Sequence, residues 1–125
     1  MSSISLKNEL NDLYKLNEFI LSILKKENLQ VNLIAEEIFV NIVNYSNAKS
    51  IKVNGSFENQ ILTLEFIDNG IEFDPLKKET PKAPDSIDDA KIGGLGIFLA
   101  KEMSDELDYK YLNGENHLKI VKKVE

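Results

Sequence analysis

The chain is 125 residues long, which is the size of a single compact domain. Its 15 basic and 21 acidic residues give a formal charge of −6, and this acidic balance argues against a nucleic-acid backbone as the main partner. The sequence has no cysteine, which excludes disulfides and thiolate metal sites, and no apolar run approaches the roughly 18 residues of a membrane span. Because no signal peptide is visible either, we predict one domain over residues 1–125, located in the cytoplasm.

All of the basic residues are lysine, and the chain contains no arginine. The chain therefore cannot supply an arginine finger or a bidentate guanidinium contact to a phosphate. Positive charge at any phosphate site must come from lysine, from a metal ion or from a partner.

The first predicted element is an amphipathic helix. Apolar residues recur at spacings of three and four over residues 6–24, which predicts a helix capped by Ser5 or Asn8 and ending near Asn28. Residues 4–6 could form a short strand instead.

A second helix and a hairpin are predicted next. The helix spans residues 32–47, and residues 51–53 then alternate between apolar and polar side chains. An Asn-Gly pair, which is a frequent turn signal, opens residues 54–59, and we expect these residues to form a hairpin loop. Residues 61–67 follow as a well-buried strand.

The segment 75–91 contains all three prolines, many charges and few apolar residues. Such a long irregular segment in a small domain is usually functional or mobile, which favours a lid over a bound ligand, although an ordinary surface loop has the same composition. A helical pattern follows from residue 95 to residue 103. Two final strands, 108–112 and 117–121, flank an Asn-Gly turn at 113–114.

This order of elements indicates the α+β class. Helices grouped beside hairpins pack most simply as one layer against a sheet. We predict a two-layer α/β sandwich with a mixed, mostly antiparallel sheet and with the helices on one face.

Glu37 and Asn41 lie four residues apart in the second helix and share one of its faces. An Asn side-chain carbonyl is a hard oxygen ligand of the kind that Mg²⁺ prefers, and a neighbouring carboxylate could accept a proton from an attacking hydroxyl. Two solvated surface side chains remain the alternative for this pair.

Asp68 follows the apolar strand 61–67, and Gly70 comes two residues later. A partly buried carboxylate needs hydrogen-bond donors, and the exocyclic amine of adenine is one such donor. Gly70 would let the backbone approach the base closely. An ordinary Asp-Asn-Gly turn explains the same residues.

Three glycines, Gly93, Gly94 and Gly96, directly precede the last helical pattern. Backbone N–H groups of such a loop suit a phosphate, although a tight loop between two elements also requires glycine. The spacing fits neither a P-loop nor a dinucleotide-binding fingerprint. His117 is the only histidine, so a histidine metal site is not expected.

In their order, these motifs resemble those of one family. The chain is similar to the histidine-kinase-like ATPases of the Bergerat fold, and most similar to the stand-alone anti-sigma factor serine/threonine kinases of bacteria. Glu37 and Asn41 match the N box of that family, residues 68–75 match its first glycine box, and residues 93–99 match the second. The resemblance covers about residues 3–123.

The resemblance implies a role for each matching residue. Asn41 would hold Mg²⁺, Glu37 would be the catalytic base, and Asp68 would bind adenine. Residues 75–91 would form the ATP lid. The further ATP-binding positions would be Gly70, Phe73, Lys91, Gly93, Gly94, Leu95 and Gly96.

The resemblance also implies a function. The chain would be a Mg²⁺- and ATP-dependent serine/threonine protein kinase that sequesters a sigma factor and phosphorylates an anti-sigma-factor antagonist, with no direct nucleic-acid or membrane partner. The resemblance is also compatible with a homodimer. A non-catalytic, ATP-dependent protein-binding switch of the same fold is the first alternative. An ATPase fragment of a larger machine is the second.

Three positions depart from the family pattern. Lys91, rather than an arginine, is the cation nearest the second glycine box, and Tyr45 stands where many relatives have histidine. The last strand of relatives often has a threonine near adenine, and residues 117–119 offer none. The first departure bears on phosphoryl transfer, and the other two bear on details of the site.

Overall fold

The protein is described by a computed structural model that covers residues 2–74 and 100–124. In chain order, the elements are β1 (Ser2–Lys7), a 3₁₀ turn (Leu10–Asp12), α1 (Leu13–Leu24), α2 (Leu29–Tyr45), β2 (Ser50–Glu58), β3 (Ile61–Asp68), β4 (Glu106–Leu112) and β5 (Glu115–Lys123). Residues 100–103 are helical and precede β4. Within these two stretches, every helix is too short or too polar to cross a membrane.

The strands form one sheet in the order β1-β2-β3-β5-β4, and each neighbouring pair is antiparallel. The alternate residues of β3 that face the core are Leu62, Leu64, Phe66 and Asp68. Helix α2 lies over this face, where its Ile38 lines the same cavity as Phe66, and α1 packs beside α2. The predicted class, with helices on one face of a mostly antiparallel sheet, is confirmed. The strand predicted as well buried is buried on one face only.

The N-terminal helix begins later than predicted. Residues 2–7 pair with β2, so the alternative of a short strand is correct, and neither Ser5 nor Asn8 caps the helix. The strand ends where the Lys7 N–H donates to the Asp12 carboxylate at 2.8 Å. Helix α1 stops at Leu24 because Lys25 adopts a left-handed conformation with φ of 62°.

Helix α2 begins at Leu29, three residues earlier than predicted, and ends at Tyr45. The Asn28 side chain caps it by accepting the Val31 N–H at 3.0 Å. Asn28 therefore begins the second helix rather than ending the first. The sequence pattern was ambiguous here because the two helices are separated by only four residues, 25–28.

The turn predicted at Asn54 and Gly55 is wrong. Both residues lie within β2, and the chain reverses at Asn59 and Gln60, which have φ values of 52° and 65°. A Cβ at Gly55 would lie 2.6 Å from Ile23 Cδ1 of α1. Gly55 therefore allows close packing of the helix on the strand and does not form a turn.

The C-terminal hairpin is confirmed. Strands β4 and β5 enclose the predicted ranges, and the turn residues Asn113 and Gly114 have φ values of 54° and 79°. This hairpin places one edge of the sheet beside the C-terminal end of α2.

Candidate functional site

A small cavity lies between α2 and the sheet. Its apolar wall includes Ile38, Phe66 and Leu118, and its polar lining consists of Asn41, Ser46, Asp68, Tyr109 and Asn116. An apolar cleft with a few convergent polar groups is typical of a small-molecule site. The free volume is about 20 Å³, which is room for one water, so a larger ligand requires the side chains around it to move apart.

Asp68 is the last residue of β3 and is only 4% exposed. The alternation of β3 turns its carboxylate toward the core face, in line with Leu64 and Phe66. Its Oδ1 accepts the Gly70 N–H at 2.9 Å and the Asn116 Nδ2–H at 3.0 Å. The structure thus brings the predicted adenine ligand into the cavity as a buried hydrogen-bond acceptor.

Asn41 also lines the cavity and is 4% exposed. Its Nδ2 is buried and has no hydrogen-bond partner among the described residues. A buried polar group without a partner carries a desolvation cost of about 1–3 kcal/mol, which a bound polar ligand would remove. The second predicted residue is therefore placed where a ligand would meet it.

Glu37 lies one helical turn before Asn41 on α2 and is partly buried. Burial raises the pKa of its carboxyl group above the ordinary value of 4.5, and the charge of Glu36 raises it further. Glu37 does not belong to the set of residues that line the cavity. It lies one helical turn from the cavity residue Asn41, and its carboxyl group binds a proton more tightly than usual.

Gly70 has a packing role that the sequence did not indicate. A Cβ at this position would lie 2.1 Å from the Ser46 carbonyl oxygen, and the following residue, Ile71, donates its N–H to that oxygen at 2.8 Å. The close backbone approach that requires glycine is therefore made to the end of α2. A contact of Gly70 with a base stays a prediction.

Phe73 lines the cavity and stacks on Tyr45 of α2, with ring centroids 5.3 Å apart and an angle of 25° between the planes. Aromatic stacking of this kind holds the segment after β3 against the helix. Phe73 is one of the predicted ATP-binding residues, and the structure places its ring at the cavity.

Asn116 and Tyr109 were missed by the sequence analysis. Asn116 pairs directly with Asp68 across β3 and β5, and the Tyr109 hydroxyl donates to Asn116 Oδ1. A signal was present, because Asn116 occupies an inward position in the alternation that continues with Leu118 and Ile120. A polar residue at such a position is either satisfied internally or part of a site.

The remaining predicted site residues lie outside the described residues. They are Lys91, Gly93, Gly94, Leu95 and Gly96, together with the predicted lid 75–91. Only the end of the last predicted helix, residues 100–103, is described.

Comparison with known proteins gives a match over nearly the whole chain. A family model described as "Histidine kinase-like ATPase domain" matches residues 9–122. The serine/threonine-protein kinase BtrW of Bordetella bronchiseptica is 30% identical over 94 residues, which are 72% of this chain and 66% of BtrW. The chain thus spans just under two thirds of the length of that relative.

The histidine kinase AdeS of Acinetobacter baumannii has a similar solved structure. The alignment covers 99% of this chain and 68% of the AdeS chain, with a TM-score of 0.56 at 12% identity. At this identity the comparison shows a common fold.

Proposed function

Because the chain belongs to the histidine kinase-like ATPase family, we propose that it is a Mg²⁺- and ATP-dependent serine/threonine protein kinase that regulates a sigma factor. In this proposal it binds a sigma factor in one state and phosphorylates an anti-sigma-factor antagonist in another. The name of the relative BtrW supports the reaction class. A homodimer and a cytoplasmic location stay predictions from the sequence.

The observation that carries the proposal is the buried acceptor at the end of β3. Two N–H donors, from Gly70 and Asn116, hold the Asp68 carboxylate through Oδ1. We assign the second oxygen, Oδ2, to the 6-amino group of adenine, and the apolar wall at Ile38 and Leu118 to the ring.

Asn41 fits a metal role by its chemistry. Its amide is buried in the cavity, and Nδ2 is unpartnered in the described part of the chain. Rotation about the last side-chain bond turns either the nitrogen or the carbonyl oxygen toward a ligand, and the oxygen suits Mg²⁺. When bound, Mg²⁺ would neutralise charge that develops on the phosphates during transfer.

Glu37 would act as the base toward the acceptor hydroxyl. It lies on the same face of α2 as Asn41, and its raised pKa means that it holds an accepted proton more firmly than an exposed glutamate does. Lys91 and the glycines at 93, 94 and 96 would bind the phosphates, and residues 75–91 would cover them. Phosphoryl transfer depends mainly on positioning and charge neutralisation, which this small set of groups can provide.

The alternative function is a non-catalytic switch in which ATP sets the affinity for a protein partner. The absence of arginine favours it, because no guanidinium from this chain can stabilise the transferred phosphate. Transfer of labelled phosphate from ATP to an antagonist protein would exclude this alternative. Nucleotide binding without transfer would support it.

We predict that Asp68→Asn weakens ATP binding by about 10–100-fold, because the substitution puts a donor where the adenine amine needs an acceptor. The size of the effect follows from the contribution of hydrogen bonds to charged groups, which is about 1.5–3 kcal/mol. Calorimetric titration of Mg²⁺-ATP into both proteins measures the change. Glu65→Gln is the matched control, since it removes one negative charge from the outward face of the same strand. Equal ATP affinity in Asp68→Asn and wild type would contradict the assignment of Asp68 to the adenine site.

A further inference from the structure

Asn116 uses its full hydrogen-bonding capacity inside the site. Its Nδ2 donates to Asp68 Oδ1 at 3.0 Å and to the Ile71 carbonyl at 2.8 Å. Its Oδ1 accepts the Phe73 N–H at 3.0 Å and the Tyr109 hydroxyl. A side-chain amide has two N–H donors and two acceptor lone pairs, so all four are used within the protein.

These four partners permit only one orientation of the amide. Exchange of the nitrogen and oxygen would point Oδ1 at two acceptors, the Asp68 carboxylate and the Ile71 carbonyl, and would point Nδ2 at the Phe73 N–H. Each of these contacts would be repulsive and unsatisfied in a buried position. Asn116 can therefore only donate to Asp68, and Asp68 can only accept from it.

We propose that Asn116 is a positioning residue that sets the base specificity of the site, selecting a 6-amino purine over a 6-oxo purine by holding Asp68 as a pure acceptor. Asn116 does not touch the base in this proposal, because its own groups are already paired. The inference rests on the proposed ATP site. It adds a residue that the family motifs of this sequence do not include.

The chemistry of the two purines explains the selection. Adenine presents an amine at position 6, which donates to the free oxygen of the carboxylate. Hypoxanthine presents a carbonyl there, which faces that oxygen as a second acceptor. A site whose polar group is fixed in this way rejects the wrong partner more strongly than one whose polar group can turn or change protonation.

The test compares ATP with ITP, which differ at position 6 of the base. Calorimetry gives the dissociation constants of both nucleotides for wild type, Asn116→Ala and Asn116→Asp, with Asn54→Ala of β2 as the control. We expect wild type and the control to prefer ATP by about tenfold or more. In Asn116→Asp the introduced carboxyl group lies next to Asp68, and two neighbouring carboxyl groups do not both ionise readily, so Asp68 can take up a proton on Oδ2 and donate it to a 6-oxo group.

The expected result is therefore a preference for ATP that falls by about tenfold in Asn116→Asp and by a smaller factor in Asn116→Ala. If Asn116 had a purely structural role, its substitution would weaken the binding of both nucleotides equally. An unchanged ratio of the ATP and ITP dissociation constants in both variants therefore overturns the proposal. Wild type that binds ATP without preference over ITP overturns this inference alone. Wild type that binds neither nucleotide overturns the proposed function as well.

Tyr109→Phe keeps the proposal testable if the Asn116 variants do not fold. It removes only the hydroxyl that donates to Asn116 Oδ1 and keeps the ring in place. Without one of its four hydrogen bonds the Asn116 amide is held less firmly. We therefore expect the preference for ATP over ITP to fall by about threefold, which corresponds to a loss of less than about 1 kcal/mol in binding free energy. An unchanged ratio in this folded variant would overturn the positioning role.

Discussion

Replacing Glu37 with glutamine should lower phosphoryl transfer by about 10²–10⁴-fold, because the amide cannot accept the proton of the acceptor hydroxyl. The affinity for ATP should change by less than about threefold, since Asp68 and the apolar wall of the cavity are untouched. Transfer of labelled phosphate to an antagonist protein measures the first quantity, and calorimetry measures the second. Full transfer by Glu37→Gln would remove Glu37 from the mechanism.

The same substitution should not destabilise the fold. The pKa of Glu37 is raised from 4.5 because burial, and then the charge of Glu36, disfavour the ionised form. The contribution of a carboxyl group with a raised pKa to stability is complete below 4.5 and is lost as the pH rises through the folded-state value. At neutral pH the charged form is therefore unfavourable, and we expect Glu37→Gln to have equal or higher stability than wild type in urea unfolding.

Glu36→Gln is the matched control on the neighbouring position. It should retain transfer, because its carboxylate is not the proposed base. Removal of the Glu36 charge should lower the pKa of Glu37 and move the acidic limb of the rate profile to lower pH. An acidic limb that stays in place in Glu36→Gln, or that lies below 4.5 in wild type, would show that Glu37 does not control the profile.

Gly70→Ala should destabilise the protein by about 2–4 kcal/mol. The added Cβ would lie 2.1 Å from the Ser46 carbonyl oxygen and 2.7 Å from its carbon, and both are backbone atoms that cannot rotate away. Relief of the clash must move the segment after β3 away from α2, which breaks the 2.8 Å bond from the Ile71 N–H. Urea unfolding followed by circular dichroism measures the loss.

Gly114→Ala separates this steric effect from the conformational freedom of glycine. Gly114 has φ of +79°, and a Cβ there would meet no described atom within 4 Å. Its substitution should cost only about 1–2 kcal/mol, which is the usual penalty for a left-handed alanine. Equal losses in the two variants would show that the Ser46 contact is not what requires glycine at position 70.

The candidate site shows which functional residues can be predicted from residue spacing and which cannot. Asn41 and Asp68 were identified from a helical spacing and from the end of an apolar strand, and both are found buried in one cavity. Asn116 had a local signal in its inward position in β5, but its significance depends on lying opposite Asp68, 48 residues earlier in the chain. A pairing between distant strands has no local signal in one sequence.

The first glycine box also shows that contacts between distant segments cannot be predicted from a local motif. Its first residue, Asp68, is the last residue of β3 and is buried, and its role toward adenine stays a prediction. The reason for Gly70 was not predictable, because it is the approach of Ser46 at the end of α2. Likewise Gly55 was predicted as part of a turn, although it lies inside β2, where a Cβ would come within 2.6 Å of the Ile23 Cδ1 atom of α1.

The sequence by itself determined the class of fold, the family and two of the polar residues of the cavity, Asn41 and Asp68, since these follow from periodicities of two and 3.6 residues and from short motifs. The tertiary structure decided the sheet order, the starts of α1 and α2, and the network around Asn116. Those features depend on contacts between residues that are distant in the chain. The Asn116 amide and the Asp68 carboxylate can stabilise each other only once β3 and β5 lie side by side.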